Sequence, residues 1–300
     1  MQFDFSGAYI FLSYLAGKTT VEEVLNHPAY RVVCHHADHW NSTTITGKDI
    51  EDALAGLDSP FYGLSKVRGN EKKIVNLMNY LEEHAPAWSN TAVLELRRLL
   101  PAEDVESIIV YPIIGYDAGI GLSNAVCMNL NFSIYHDHHP EFLSTMIHEG
   151  FHVIYERIHG GRAIRSINNT EDWLTLFMNM LQNEGYAVYA PIKMREGKGY
   201  PIVAGNPLQN DYALLQQPHK LQPLLIDFWS AHESITYSSV LTREDYLNLI
   251  FGPKRITYRI GCEIIRRIEQ AYGYAEVQKA VYHTGKEFFA NYSHLIKSGQ

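Results

Sequence analysis

Cysteine is scarce in this chain: Cys34, Cys127 and Cys262 are three in 300 residues, odd in number and far apart. That excludes a disulfide-stapled scaffold and fits free thiols in a reducing compartment, so a cytoplasmic location is expected. Long apolar runs are also missing. Nothing approaches the roughly 18 or more consecutive apolar residues of a membrane span, so no membrane partner is expected. Residues 7–17 are apolar, but Asp4 is the only charge before them. Lacking a basic flank and a small-residue cleavage stretch, they read as a first buried helix rather than a leader. Basic clusters are absent as well. The 25 Lys and Arg against 33 Asp and Glu give a net charge of -8, which speaks against nucleic acid as a partner. There is no internal repeat and no low-complexity tract. What remains, 46% hydrophobic and 19% charged residues, is a globular composition on a chain long enough to bury a sizeable core.

The strongest positive feature is His148-Glu149-Gly150-Phe151-His152. Histidines four residues apart on a helix lie one turn apart on one face, so both can reach a single metal ion. A glutamate beside the first can act as general base on a metal-bound water. Pro140 suits a helix entry, and Phe142, Met146, Ile147, Phe151, Ile154 and Ile158 make a mostly apolar helix over 141–159 that Gly160-Gly161 stops. Histidines buried in such a helix need partners, and a metal is one.

A catalytic zinc keeps three protein ligands and one open position. No third histidine follows His152 at the metzincin spacing, and His159 is about a turn too far along the same helix. Glu184 is the better candidate. It lies late in a nearly all-apolar helix that Thr170 can cap, Glu171 and Asp172 favour, and Pro191 closes. A carboxylate there is costly to bury unless coordinated or paired, an arginine partner or a solvated helix end being the alternatives. Two further clusters, His35-His36-Ala37-Asp38-His39 and His136-Asp137-His138-His139, read as exposed polar loops. His232-Glu233 reads as structural.

The HExxH motif, followed about thirty residues later by Asn183-Glu184-Gly185-Tyr186-Ala187-Val188-Tyr189-Ala190, resembles the gluzincin metallopeptidases. More narrowly, with Tyr258-Arg259-Ile260-Gly261 and Ile268–Gly273, and a weaker match upstream at 111–131, the chain resembles a family of uncharacterised, mostly bacterial proteins described as zinc-dependent peptidases. Together these stretches span roughly residues 107–292. The resemblance implies a Zn2+ held by His148, His152 and Glu184, with Glu149 as the base. It also implies a C-terminal tyrosine or histidine as oxyanion donor, for which Tyr258 is the candidate and His283 the reserve. A peptide or protein is the implied substrate. A zinc hydrolase of other amides or esters, and a non-catalytic zinc-binding scaffold, are the competing readings.

The expected fold is mainly α (α+β). Residues 1–105 read as helical hairpins at 5–15, 21–25, 48–57, 71–84 and 91–100, with breaks at 59–60 and 69–70. Residues 106–192 read as a zincin-like core with a small sheet from strands at 107–114 and 124–134, joined by a Gly-rich turn at 115–121. In the zincin fold the last strand is a sheet edge, so residues 125–131, with Ala125, Met128 and Asn129, are the candidate substrate-binding strand, an ordinary buried strand being the alternative. A loop is expected over 195–210. The C-terminal region, 193–300, is otherwise helical, most clearly at 256–272 and 275–295.

Overall fold

The computed structural model describes residues 1–297 apart from Asp58, Tyr62, Arg162, Asn168, Ile202, Ala204, Asn206 and Ser239. It is mainly helical with one small sheet, as expected. Its contacts form two compact units: Met1–Arg97 with Ala102–Arg165, and Arg98–Pro101 with Ser166–Gln300. Residues 106–192, expected as one core, fall in both. Among the described residues no helix is long and apolar enough to cross a membrane.

The first unit is built on strands β1 (Gln2–Phe3), β2 (Ile109–Ile113), β3 (Gly119–Leu122) and β4 (Ala125–Asn129), in the spatial order β1-β2-β4-β3. β1, β2 and β4 run parallel, and β3 pairs antiparallel to β4. All five residues of β4 are buried, which suits a strand covered on both faces. This corrects one expectation. β4 is not an edge, because β2 occupies one side of its backbone and β3 the other. The Gly-rich segment expected as a turn supplies β3, the edge strand beside β4, the other edge being β1.

Around the sheet lie α1 (Ser6–Leu15), α2 (Val21–Asn26), α3 (Pro28–His36), α4 (Gly47–Leu54), α5 (Val67–Leu99), α6 (Ser133–Asp137) and α7 (His139–His159). α3 and α7 both pack on β4. Tyr30 of α3 is fully buried and ties that helix to the end of β2. Its hydroxyl donates to the Ile114 carbonyl at 3.0 Å and accepts from the Ile114 N–H at 3.1 Å. α5 passes through Gly69 and Pro86 without breaking. Ile74, Leu77, Met78, Leu81, Ala92, Leu96 and Leu99 keep one buried stripe along it, and that stripe outweighs the single backbone bond a proline removes. α6 forms where the second strand was expected to continue. α7 begins as expected, with Pro140 in its first turn, and ends at Gly160 with φ +73°.

The second unit comprises α8 (Thr170–Lys198), α9 (Pro207–Leu215), α10 (Pro218–Tyr237), α11 (Arg243–Phe251), α12 (Ile256–Tyr272), α13 (Tyr274–Ala280) and α14 (Gly285–Tyr292). Asn169, not Thr170, caps α8; its side chain accepts from the Asp172 N–H at 2.9 Å. α8 continues through Pro191 because Ile192 and Met194 remain in the core; it stops at Gly199, φ +62°. The expected loop over 195–210 therefore shrinks, and Ile202, Ala204 and Asn206 within it lie outside the described residues. α12 matches 256–272. The single helix expected at 275–295 is two, because Thr284 and Glu287 form a capping box that starts α14. α8 and α12 cross backbone to backbone: a Cβ on Gly261 would overlap the Leu181 carbonyl oxygen, and one on Gly185 would overlap Gly261.

Candidate metal centre

In the first unit α7 places His148 and His152 one turn apart with their rings almost perpendicular, 86°, and centroids 4.7 Å apart. Their Nε2 atoms are 3.1 Å from each other. Two Nε2 atoms converging on one point is the arrangement that a shared metal or a shared proton requires. His148 is buried, and Glu149 beside it brings Oε1 to 4.0 Å from His148 Nε2. Glu149 runs against β3. A Cβ on Gly119 would meet its Cγ at 3.0 Å, and one on Gly121 would overlap its carbonyl oxygen. The two glycines are what let the edge strand lie directly on this turn of α7.

The candidate substrate strand fares differently. Ala125, Met128 and Asn129 are buried within β4, whose backbone is already paired on both sides. Asn129 Oδ1 accepts from the Gly115 and Asn131 N–H groups, each at 2.9 Å. These residues shape the sheet and the 115–118 loop rather than face a ligand. Cys127 is buried there as well, and burial pushes its thiol far above the usual range, so it stays protonated.

In the second unit Glu184 is buried in α8, one residue before the Gly185–Gly261 crossing. Tyr258 lies in α12 one turn before Gly261. The guanidinium carbon of Arg255 sits 3.6 Å above the centroid of its ring. Arg255 and Arg259 each give their Nε–H to one oxygen of the fully buried Asp211, both at 2.7 Å. Burial opposes the charge on Arg255, but Asp211, Tyr258 and Glu184 together raise its pKa. His283 addresses a different side of α8. Its carbonyl accepts from Gln182 at 2.8 Å, and two residues on a helix, about 200°, separate Gln182 from Glu184. Asp211, Arg255 and Arg259 were not singled out from the sequence, since Arg-Asp contacts across 44 and 48 residues leave no local pattern.

The other histidine clusters are not exposed loops. Residues 35–39 close α3 and enter a π-helical turn, Ala37–Asn41, where His39 is buried; His35 Nδ1 is 2.9 Å from Ser123 Oγ. Residues 136–139 bridge α6 and α7, with His136 Nε2 2.7 Å from the Leu130 oxygen and the His139 ring 3.9 Å from that of Tyr80. His232 stacks on Phe289, in keeping with a structural role. Among the described residues the group of His, Cys, Asp or Glu side chains able to hold a metal ion is His148, His152 and Glu184.

Comparison with known families gives one match, to the model described as "Putative zinc dependent peptidase (DUF5700)", over residues 21–299. No curated protein and no solved structure matches. Since that match takes in nearly the whole chain, including α7, α8 and α12, the protein belongs to this family.

Proposed function

We propose that the protein is a zinc metallopeptidase of the gluzincin type, with His148, His152 and Glu184 as ligands and Glu149 as general base. The observation that carries this reading is the His/His/Glu group itself: each residue offers one ligand atom, and these all lie within 4.8 Å of one another. The donor set fits zinc. At Zn–N distances of about 2.0–2.1 Å, two tetrahedral nitrogen ligands are roughly 3.3 Å apart, against 3.1 Å between the two Nε2 atoms. Three protein ligands, with no fourth in the group among the described residues, is the composition of an open catalytic site rather than a closed structural one.

Zinc held there would polarise a water molecule and bring its pKa towards neutrality. Glu149 takes the proton from the attacking water and delivers it to the nitrogen of the departing amine. Tyr258 donates its O–H to the oxygen of the attacked carbonyl. The substrate strand is reassigned from β4 to β3. An extended peptide pairing with the outer edge of β3 would pass beside Glu149, which lies against Gly119 and Gly121. The three free cysteines support a reducing compartment, the cytoplasm.

The test is hydrolysis of unstructured peptides by the zinc-loaded protein and by Glu149→Gln. The variant should retain zinc and lose about 10²- to 10⁴-fold in kcat, the usual share of general acid–base catalysis. Wild-type turnover in that variant would remove Glu149 from the mechanism.

A further inference from the structure

Arg255 is held in an unusual state. It precedes α12 with φ +46°, in the left-handed region that bulky residues seldom occupy. Such backbone persists only where the surroundings fix it, and it concentrates at functional positions. Two contacts fix the side chain: the Nε–H bond to Asp211 and the stack on the Tyr258 ring.

Both contacts leave the end of the fork unused. Asp211 takes the Nε–H of Arg255 with one oxygen and that of Arg259 with the other. Among the described residues no acceptor is hydrogen-bonded to Nη1 or Nη2 of Arg255, and its side chain keeps 24% of its surface exposed. Two guanidinium groups thus share the Asp211 carboxylate, and Glu184 is a second negative charge acting on Arg255. A planar, immobilised fork with both terminal nitrogens open is shaped for a carboxylate bound through two parallel N–H···O bonds. Holding the guanidinium in advance also removes the entropy cost of ordering a long side chain when the ligand binds.

We propose that Arg255 selects the substrate by binding, through Nη1 and Nη2, a carboxylate of the peptide close to the scissile bond. The inference rests on the peptidase reading and on Tyr258 as the residue that addresses the scissile carbonyl. Successive residues of a peptide are about 3.8 Å apart, and the guanidinium carbon lies 3.6 Å from the Tyr258 ring centroid. A carboxylate at the fork therefore belongs to a part of the peptide close to the residue that Tyr258 addresses. The chemistry fits either the C-terminal carboxylate of a short peptide or an Asp or Glu side chain.

Three peptides of one sequence decide it: one with a free C-terminus and an internal Glu, one amidated at the C-terminus, and one with that Glu replaced by Gln. They are compared on the zinc-loaded wild type and on Arg255→Gln and Arg255→Lys. Binding to the zinc-loaded Glu149→Gln protein is followed in parallel by calorimetry. One of the two neutralised peptides should lose roughly tenfold or more in kcat/KM, mainly through KM, and should lose calorimetric affinity by the same factor. The peptide that loses identifies the source of the carboxylate. Arg255→Gln should erase the difference between the peptides, and Arg255→Lys should restore only part of it. If the wild type cleaves all three peptides with equal kcat/KM, Arg255 does not select and the inference falls while the peptidase reading stands. If no peptide is cleaved or bound, the peptidase reading fails and the inference fails with it. Should Arg255→Gln not fold, Arg255→Lys carries the comparison, and peptide discrimination as strong as the wild type's in that variant overturns the inference.

Discussion

Asn129 closes β4 with its amide oxygen shared between the Gly115 and Asn131 N–H groups. Asn129→Ala would leave both donors buried without an acceptor, which costs about 1–3 kcal/mol. The urea midpoint should fall accordingly, and an unchanged midpoint would mean that water replaces the amide. At this scale the sequence was legible where chemistry imposes a spacing. Histidines four positions apart, with a glutamate beside the first, leave few arrangements on a helix. It was silent where a side chain serves a distant backbone. Nothing near Asn129 marks its commitment to Gly115, and nothing near Arg255 marks its bond to Asp211. The strand that Asn129 closes was read as an open edge, whereas both of its sides are paired.

Helix α8 can carry Glu184 so close to α12 because Gly185 and Gly261 meet without side chains. Gly261→Ala should destabilise the second unit by about 1–3 kcal/mol or more, the usual range for overpacking a tight contact. Thermal unfolding should show it, and a variant as stable as the wild type would mean that the helices separate without cost. The close-approach role of the edge-strand glycines was not readable. Gly119-Ile120-Gly121-Leu122 reads as a turn, since glycine is a poor strand former. It is a strand because only glycine fits against the Glu149 backbone. The fully apolar start of β4, by contrast, carried the mark of an interior parallel strand. Helix ends were misjudged where proline was given too much weight. Pro191, read as the close of α8, sits inside a helix whose buried face continues past it.

For the molecule as a whole, burial lowers the pKa of His27, His39, His139 and His232. A depressed histidine pKa means that, below the ordinary value of about 6.5, the unfolded chain binds protons that the folded chain does not. These histidines should therefore make stability decline as pH falls from about 6.5 through the folded values. Denaturant midpoints measured from pH 8 to 5 check this, and midpoints that held level down to pH 5 would contradict it. The central claim is a single zinc held by His148, His152 and Glu184. Elemental analysis of the purified protein beside His152→Ala and Glu184→Ala tests it most directly. The account predicts one zinc per chain in the wild type, lost or sharply weakened in both variants. A folded wild type without metal, or full zinc retention by Glu184→Ala, would contradict it.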